Sequence, residues 1–185
     1  MIPSRERADE LVRKYNDDEF HTQHARVVGG VMAWFAGQHD PGREDYWYAV
    51  GALHDIDYEL FPEEHCVKGI ELLRENDVDE DVIRSAMSHG WGMTGSPYEP
   101  ELLMEKILYA CDELTGFIGA VAVMRPSKSV ADLEVRSVRK KFKQPSFAAA
   151  ISREVIVDGA ERLGWALDDL IDQTIQAMRT VDCVA

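Results

Sequence analysis

Apolar residues recur along this chain at three- and four-residue spacing, and no stretch shows the sustained alternation of a strand. Residues 4–15 put Leu11 and Tyr15 on one face behind a candidate cap, Ser4, and predict a first helix broken by Asn16-Asp17-Asp18. Residues 21–37 predict a second, with His24, Val27, Val28, Val31 and Phe35 forming a core-facing stripe. His21 falls on roughly the same side, so periodicity does not choose between the two histidines. Asp40-Pro41-Gly42 marks a turn before a third helix over 43–54. Phe61-Pro62-Glu63-Glu64 opens a fourth, with Pro62 in the first turn where its missing N–H costs little; that helix carries His65, Gly69, Leu72 and Leu73. Asp79-Glu80-Asp81 starts a fifth, acidic in its first turn, which runs through Val82, Ile83, Ala86 and Met87 to His89. A glycine-rich loop over 90–97 follows, placed to form the lip of a pocket.

Residues 101–124 predict the sixth helix, apolar on nearly every face and therefore central. After a loop at 125–129, a seventh is expected over 133–142 with Asp132 as its cap. Gln144-Pro145 ends it. An eighth is expected over 147–163 with Ser146 as its cap, and a last over 167–181. The expected fold class is all-α, without internal repeats.

The chain has 185 residues, enough for one domain with a full core and short for two. Its net charge of −14 lacks the basic footprint that a nucleic acid polymer or an anionic membrane surface needs. A small phosphate ligand stays open, because a bound metal inverts the local field. The N-terminus is charged and lacks the apolar segment of a signal peptide. The most apolar run, over 114–124, is too short to span a bilayer. Three cysteines, an odd number with no CxxC pair, argue against a disulfide framework and fit a reducing, cytoplasmic location. Cys66 and Cys111 read as small buried thiols, and Cys183 is not in a prenylation box.

The dipeptide His54-Asp55 ends the third predicted helix, and two adjacent ligands at a helix end can turn into one cavity. His24 lies upstream; His65, His89 and Asp112 lie downstream. Asp112 and Glu113 interrupt the most apolar helix, where an unpaired carboxylate is costly and calls for a cation or several donors. Imidazoles and carboxylates together suit Mn, Fe, Co, Ni, Zn or Mg. Such an ion lowers the pKa of its water and polarises a phosphoryl oxygen, which hydrolyses a phosphate ester without a nucleophilic side chain.

The ordered set His24, His54-Asp55 and Asp112, in the segments HARVVGGVMAWFA, LHDIDYE, EEHCVKGIELL and LYACDELTGFI, resembles the HD superfamily of metal-dependent phosphohydrolases. The resemblance implies one helical domain over 1–185, with its core at about 19–125 and a helical extension at about 126–185. It implies His24, His54, Asp55 and Asp112 as metal ligands. His65 and His89 match the extra histidines of dinuclear members, in which case Asp55 bridges two ions; otherwise they contact a phosphate or protonate the leaving oxygen. The chain lacks a GYP segment, and Asp57-Tyr58 stands where Gly-Lys is common, so cyclic dinucleotide hydrolysis is not expected.

The activity implied is hydrolysis of a small phosphate ester, a phosphorylated metabolite or nucleotide, using one or two divalent metal ions. The catalytic candidates are His65, His89, Asp57 and Glu113. The alternatives are an HD-fold diiron oxygenase acting on a small hydroxylated or phosphonate compound, and a non-enzymatic metal or nucleotide sensor. Asp57 and Glu113 are placed to orient ligands or bind water, whereas Glu59 and Lys68 read as surface. The cluster Arg136, Arg139, Lys140, Lys141 and Lys143 reads as a solvated helix end before a polyphosphate site, and Ser127-Lys128 as a weaker phosphate loop. Trp34, Trp47 and Trp165 read as core, and Trp91 as a pocket or stacking residue; His21 and His39 read as exposed or capping.

Overall fold

A computed structural model describes residues 1–181; Cys183 lies outside them. The described residues form helices α1 (Arg5–Tyr15), α2 (Glu19–His39), α3 (Glu44–Leu53), α4 (Val67–Glu75), α5 (Glu80–Met87), α6 (Leu103–Val123), α7 (Val135–Phe142), α8 (Arg153–Leu163) and α9 (Leu167–Met178), with no strand among them. Short 3-10 turns at Pro62–Glu64 and Ser88–Gly90 precede α4 and follow α5. None of the described helices is long and apolar enough to cross a membrane. The fold class is all-α, as the periodicity predicts.

Local caps set the helix starts. Ser4, Asp18, Asp79 and Ser152 each accept a backbone N–H from the first turn of α1, α2, α5 and α8. α6 has an apolar residue, Leu102, at its N-cap, so Glu105 reaches back and accepts the N–H groups of Glu101 (2.8 Å) and Leu102 (3.1 Å). That carboxylate is fully buried and is held from the other side by the Ser85 hydroxyl at 3.0 Å.

α6 is the central helix, packed against α2, α5, α7, α8 and α9. Its fully buried Leu114 and Phe117 join Phe35, Met32 and Leu53 in one continuous core. α3 folds back along α2, and the two helices touch closely where both carry glycine. A Cβ on Gly51 would lie 2.9 Å from the Val28 carbonyl oxygen and 3.0 Å from the Gly29 Cα. This approach brings the end of α3, and with it His54, beside His24 on α2.

Three expected boundaries move. The fourth helix begins at Val67 rather than at Pro62, because Cys66 takes a left-handed backbone (φ 66) and breaks the path between the 3-10 turn and α4. The eighth begins at Arg153 rather than at Phe147, and Ser152, not Ser146, caps it. Residues 144–151 instead form an irregular loop gathered around the Arg153 guanidinium. It donates to the carbonyls of Phe142 (3.1 Å), Gln144 (3.0 Å), Ile151 (3.3 Å) and Phe147, and lies over the Phe117 ring. The seventh begins at Val135, and Asp132 does not cap it; its carboxylate binds Arg125 and Ser127.

The α2–α3 approach has a direct test. Gly51→Ala should lower stability by about 1–3 kcal/mol through overpacking. Gly119→Ala, in α6 with nothing within 4 Å of its Cβ, should instead gain about 0.5–1 kcal/mol. Urea unfolding of both variants measures the contrast.

Candidate metal centre

His54 immediately follows α3 and keeps helical backbone angles (φ −60, ψ −40), while the chain after it winds into tight turns before the next helix. Its Nδ1–H donates to the Gly51 carbonyl at 2.7 Å, which leaves the Nε2 lone pair directed inward. His54 Nε2 then lies 3.3 Å from Asp55 Oδ2 and 3.2 Å from Asp112 Oδ1. From α2, His24 Nε2 reaches the same two oxygens at 3.7 and 3.0 Å. The ligand atoms of His24, His54, Asp55 and Asp112 all lie within 4.8 Å of one another. Donors about 2.0–2.2 Å from one ion fall within that span, so the four residues fit a divalent cation.

The other carboxylate oxygen of Asp55 faces a second group. Asp55 Oδ1 is 3.3 Å from His65 Nε2 and 3.4 Å from His89 Nε2. Both rings are oriented from behind. His65 Nδ1–H donates to Asp57 Oδ1 at 2.8 Å, and His89 Nδ1–H donates to the Ala86 carbonyl at 2.7 Å. Two Nε2 atoms therefore meet 3.1 Å apart, each with its ring proton on the far side. Neither can donate to the other in that tautomer, and a shared cation relieves the conflict. The Cys66 sulfur closes the group, and Cys66 is fully buried.

The electrostatics are those of a cation site. Burial pushes the His54 imidazolium down, but Asp55 and Asp112 more than offset this and bring it up to about 10. Burial likewise opposes charge on His65, and the Asp57 hydrogen bond raises it to about 9. Burial raises Asp55 and Asp112, yet the imidazoles around them hold both well below the usual carboxylate range. The field that favours a proton on these nitrogens also favours a metal ion. Burial pushes the Cys66 thiol up, while His89 and His65 draw it down to about 6. Glu113 goes the other way: burial and then the Asp112 charge raise it to about 7.

His24, Asp55, His65, His89 and Asp112 floor a cavity of about 360 Å³, with His54 and Cys66 behind them. Its walls are Phe20, His21, Tyr58, Met93, Thr94, Gly116, Ala150 and Ile151, with Glu113 among them. The glycine-rich loop does form one lip, through Gly90, Met93 and Thr94, but Trp91 does not line the cavity. Asp57 points away from it, with both oxygens engaged by His65 and the Gly69 N–H (2.6 Å). His21 stands at the rim, against the rings of Phe20 and Tyr58. Lys68 pairs with Glu71 on the outside. Arg136, Arg139, Lys140 and Lys143 line a separate groove over α7, where Arg136 pairs with Glu134 and Arg139 with Asp168, while Lys141 lies over the Phe147 ring. Ser127 is bound to Asp132.

Two contributors escape sequence reasoning. Glu59, read as surface, accepts the N–H groups of Asp17 (3.2 Å) and Asp18 (3.1 Å) and so fixes the start of the helix carrying His24. Ile151 reaches the cavity only because its segment is not helical.

Metal binding should be visible as stability. With an ion at about 100 times its dissociation constant, the folded state should gain about 2.7 kcal/mol, read as a rise in melting temperature that chelator reverses. Asp55→Ala, which removes the carboxylate shared by both groups, should abolish this rise and the bound metal while keeping helical circular dichroism, and His54→Ala should remove the ion held with His24 and Asp112; unchanged metal content by elemental analysis would overturn the ligand set.

Comparison with curated proteins gives no match, and comparison with solved structures gives none either. The family model described as HD domain matches residues 22–116, the span from α2 into α6 that carries His24, His54, Asp55, His65, His89 and Asp112. That match covers more than half of the chain, and with these residues gathered at one cavity the protein belongs to the HD domain family, whose members bind divalent metals.

Proposed function

We propose that this protein is a metal-dependent phosphohydrolase that cleaves a small phosphate ester, with a nucleotide or similar metabolite as the leading substrate class. The observation that carries the proposal is the position of Asp55, which offers one carboxylate oxygen to each of two histidine pairs at the cavity floor. A divalent ion held there activates water and withdraws charge from a phosphoryl oxygen.

The chain's own residues supply the rest. His24, His54, Asp55 and Asp112 would hold one ion, and His65 and His89 with Asp55 would hold a second. Asp57 positions His65 through its Nδ1–H. Glu113 lines the cavity with a carboxyl raised to about 7, so near neutrality a large fraction is protonated and can pass a proton to the leaving oxygen. None of the cavity-lining residues is Lys or Arg. The positive charge facing a phosphate therefore comes from the bound ions, which suits a single phosphoryl group better than a polyphosphate tail. Phe20, Met93 and Ile151 offer apolar surface to the rest of the molecule and exclude water from it.

The same lack of a fixed cation favours a second reading, a diiron oxygenase acting on a weakly charged compound. Four imidazoles around one shared carboxylate suit a pair of irons as well as other borderline ions.

A panel of phosphate monoesters and nucleotides, assayed for inorganic phosphate with Mn²⁺, Co²⁺, Ni²⁺ or Mg²⁺, separates the two. Metal-stimulated phosphate release, absent in Asp55→Ala, is expected. Glu113→Gln should lower kcat by about 10²–10⁴-fold with metal content unchanged. Oxygen uptake by the iron-loaded protein, with no phosphate release from any member of the panel, would replace hydrolysis with oxygenation.

A further inference from the structure

We infer that His65, Cys66 and His89, together with Asp55 Oδ1, form a sulfur-containing cation site that takes a thiophilic ion such as Zn²⁺, Co²⁺ or Fe²⁺ in preference to Mg²⁺ or Mn²⁺. The inference rests on the metal-binding reading above and adds the thiolate as a ligand.

The donor spacing is the first argument. An ion with ordinary Zn–N and Zn–S lengths of about 2.0–2.1 and 2.3 Å needs tetrahedral donors roughly 3.3–3.6 Å apart. Cys66 Sγ lies 3.5 Å from His65 Nε2 and 3.8 Å from His89 Nε2. The two nitrogens are 3.1 Å apart, and Asp55 Oδ1 is 3.3 and 3.4 Å from them. These separations lie within a few tenths of an ångström of what one ion requires.

The backbone is the second. Cys66 holds φ 66, a left-handed angle that a non-glycine residue keeps only where its surroundings impose it. Here it turns the sulfur inward, from the residue next to one histidine, onto the pair. Gly90, next to the other histidine, makes room, since a Cβ there would strike both the Cys66 sulfur and the Thr94 hydroxyl. Cys66 does not line the cavity, whereas His65 and His89 do. The sulfur thus closes the site from the protein side and leaves the cavity side to water or substrate.

Cys111 marks the contrast. It is equally buried and adjoins Asp112, yet its sulfur turns to the Thr174 hydroxyl at 3.5 Å, and burial pushes its thiol up to about 12. Thiolate is the softest donor among protein side chains, and its presence moves a site away from the hard, oxygen-preferring ions.

The test is a titration of the metal-free protein with cobalt(II) chloride, followed by absorption spectroscopy. Bound cobalt should give a sulfur-to-cobalt charge-transfer band in the near ultraviolet beside its visible ligand-field bands. Cys66→Ser should remove the charge-transfer band, keep the ligand-field bands of the ion at His24 and Asp112, and weaken zinc binding at the second position by at least about tenfold. In case Cys66→Ser fails to fold, the double variant Cys111→Ser/Cys183→Ser, with Cys66 as its one thiol, should retain the band. Cobalt bound without the band, or a band lost in the double variant, overturns the thiolate while sparing the His24–Asp112 site. No cobalt bound at all overturns the thiolate and the metal-binding reading together.

Discussion

The carboxylate of Asp55 sits between two sets of imidazoles, and the structure around it is arranged so that this can be tolerated. Burying ionisable groups costs several kcal/mol each unless every polar atom meets an opposite partner. Here His54, His65 and His89 each anchor one ring nitrogen on a carbonyl or carboxylate and turn the other toward Asp55. His54 and Asp57 are wholly inaccessible, and His89 nearly so. Such a cluster cannot simply lose its charge to water. It is held together by cations, either protons on the imidazoles or metal ions shared among them.

Positioning the cluster is mainly a matter of three helices and two breaks. α2, α3 and α6 bring His24, His54 and Asp112 to one point because glycine lets α2 and α3 approach at Gly51 and because α6 is central enough to touch both halves of the fold. The second set depends instead on departures from helix. His65 precedes a left-handed Cys66, and His89 lies in a 3-10 turn from which its ring N–H reaches back to the Ala86 carbonyl of α5. A rigid helix carrying both His65 and Leu72 could not present the imidazole this way. The weaker regularity of these segments is what lets their side chains converge.

This division explains what the sequence discloses. The helices with regular apolar spacing are legible, as is the ordered set from His24 to Asp112, because ligand identity is written in residue type and order. The choice of His24 over His21 is not, since both share a side of α2; it is decided by where α6 presents Asp112. The start of α4 misleads because Pro62 and the acidic residues after it do open a helical turn, only one too short to continue. The segment 147–151 misleads more deeply. Phe147, Ala148, Ala149 and Ala150 have helix-compatible side chains, but the carbonyls that a helix would use internally are given to Arg153. No local pattern announces that a later arginine will take them.

That loop also changes what the family relationship can explain. The HD match ends at Gly116, whereas Ala150 and Ile151 lie beyond it and still line the cavity with His24, Asp55 and Asp112. The shared part of the chain carries the imidazoles and carboxylates that could hold a cation. Part of the opposite wall, Phe20, Ala150 and Ile151, comes from residues that the shared part does not contain. Charge follows the same split. In a chain of net charge −14, a cavity with no Lys or Arg repels anions until its ions are in place. On the hydrolase reading proposed above, a phosphate would be recognised by the ions and the remainder of the molecule by shape, so selectivity would reside in Ile151, Met93 and Phe20 rather than in the histidines.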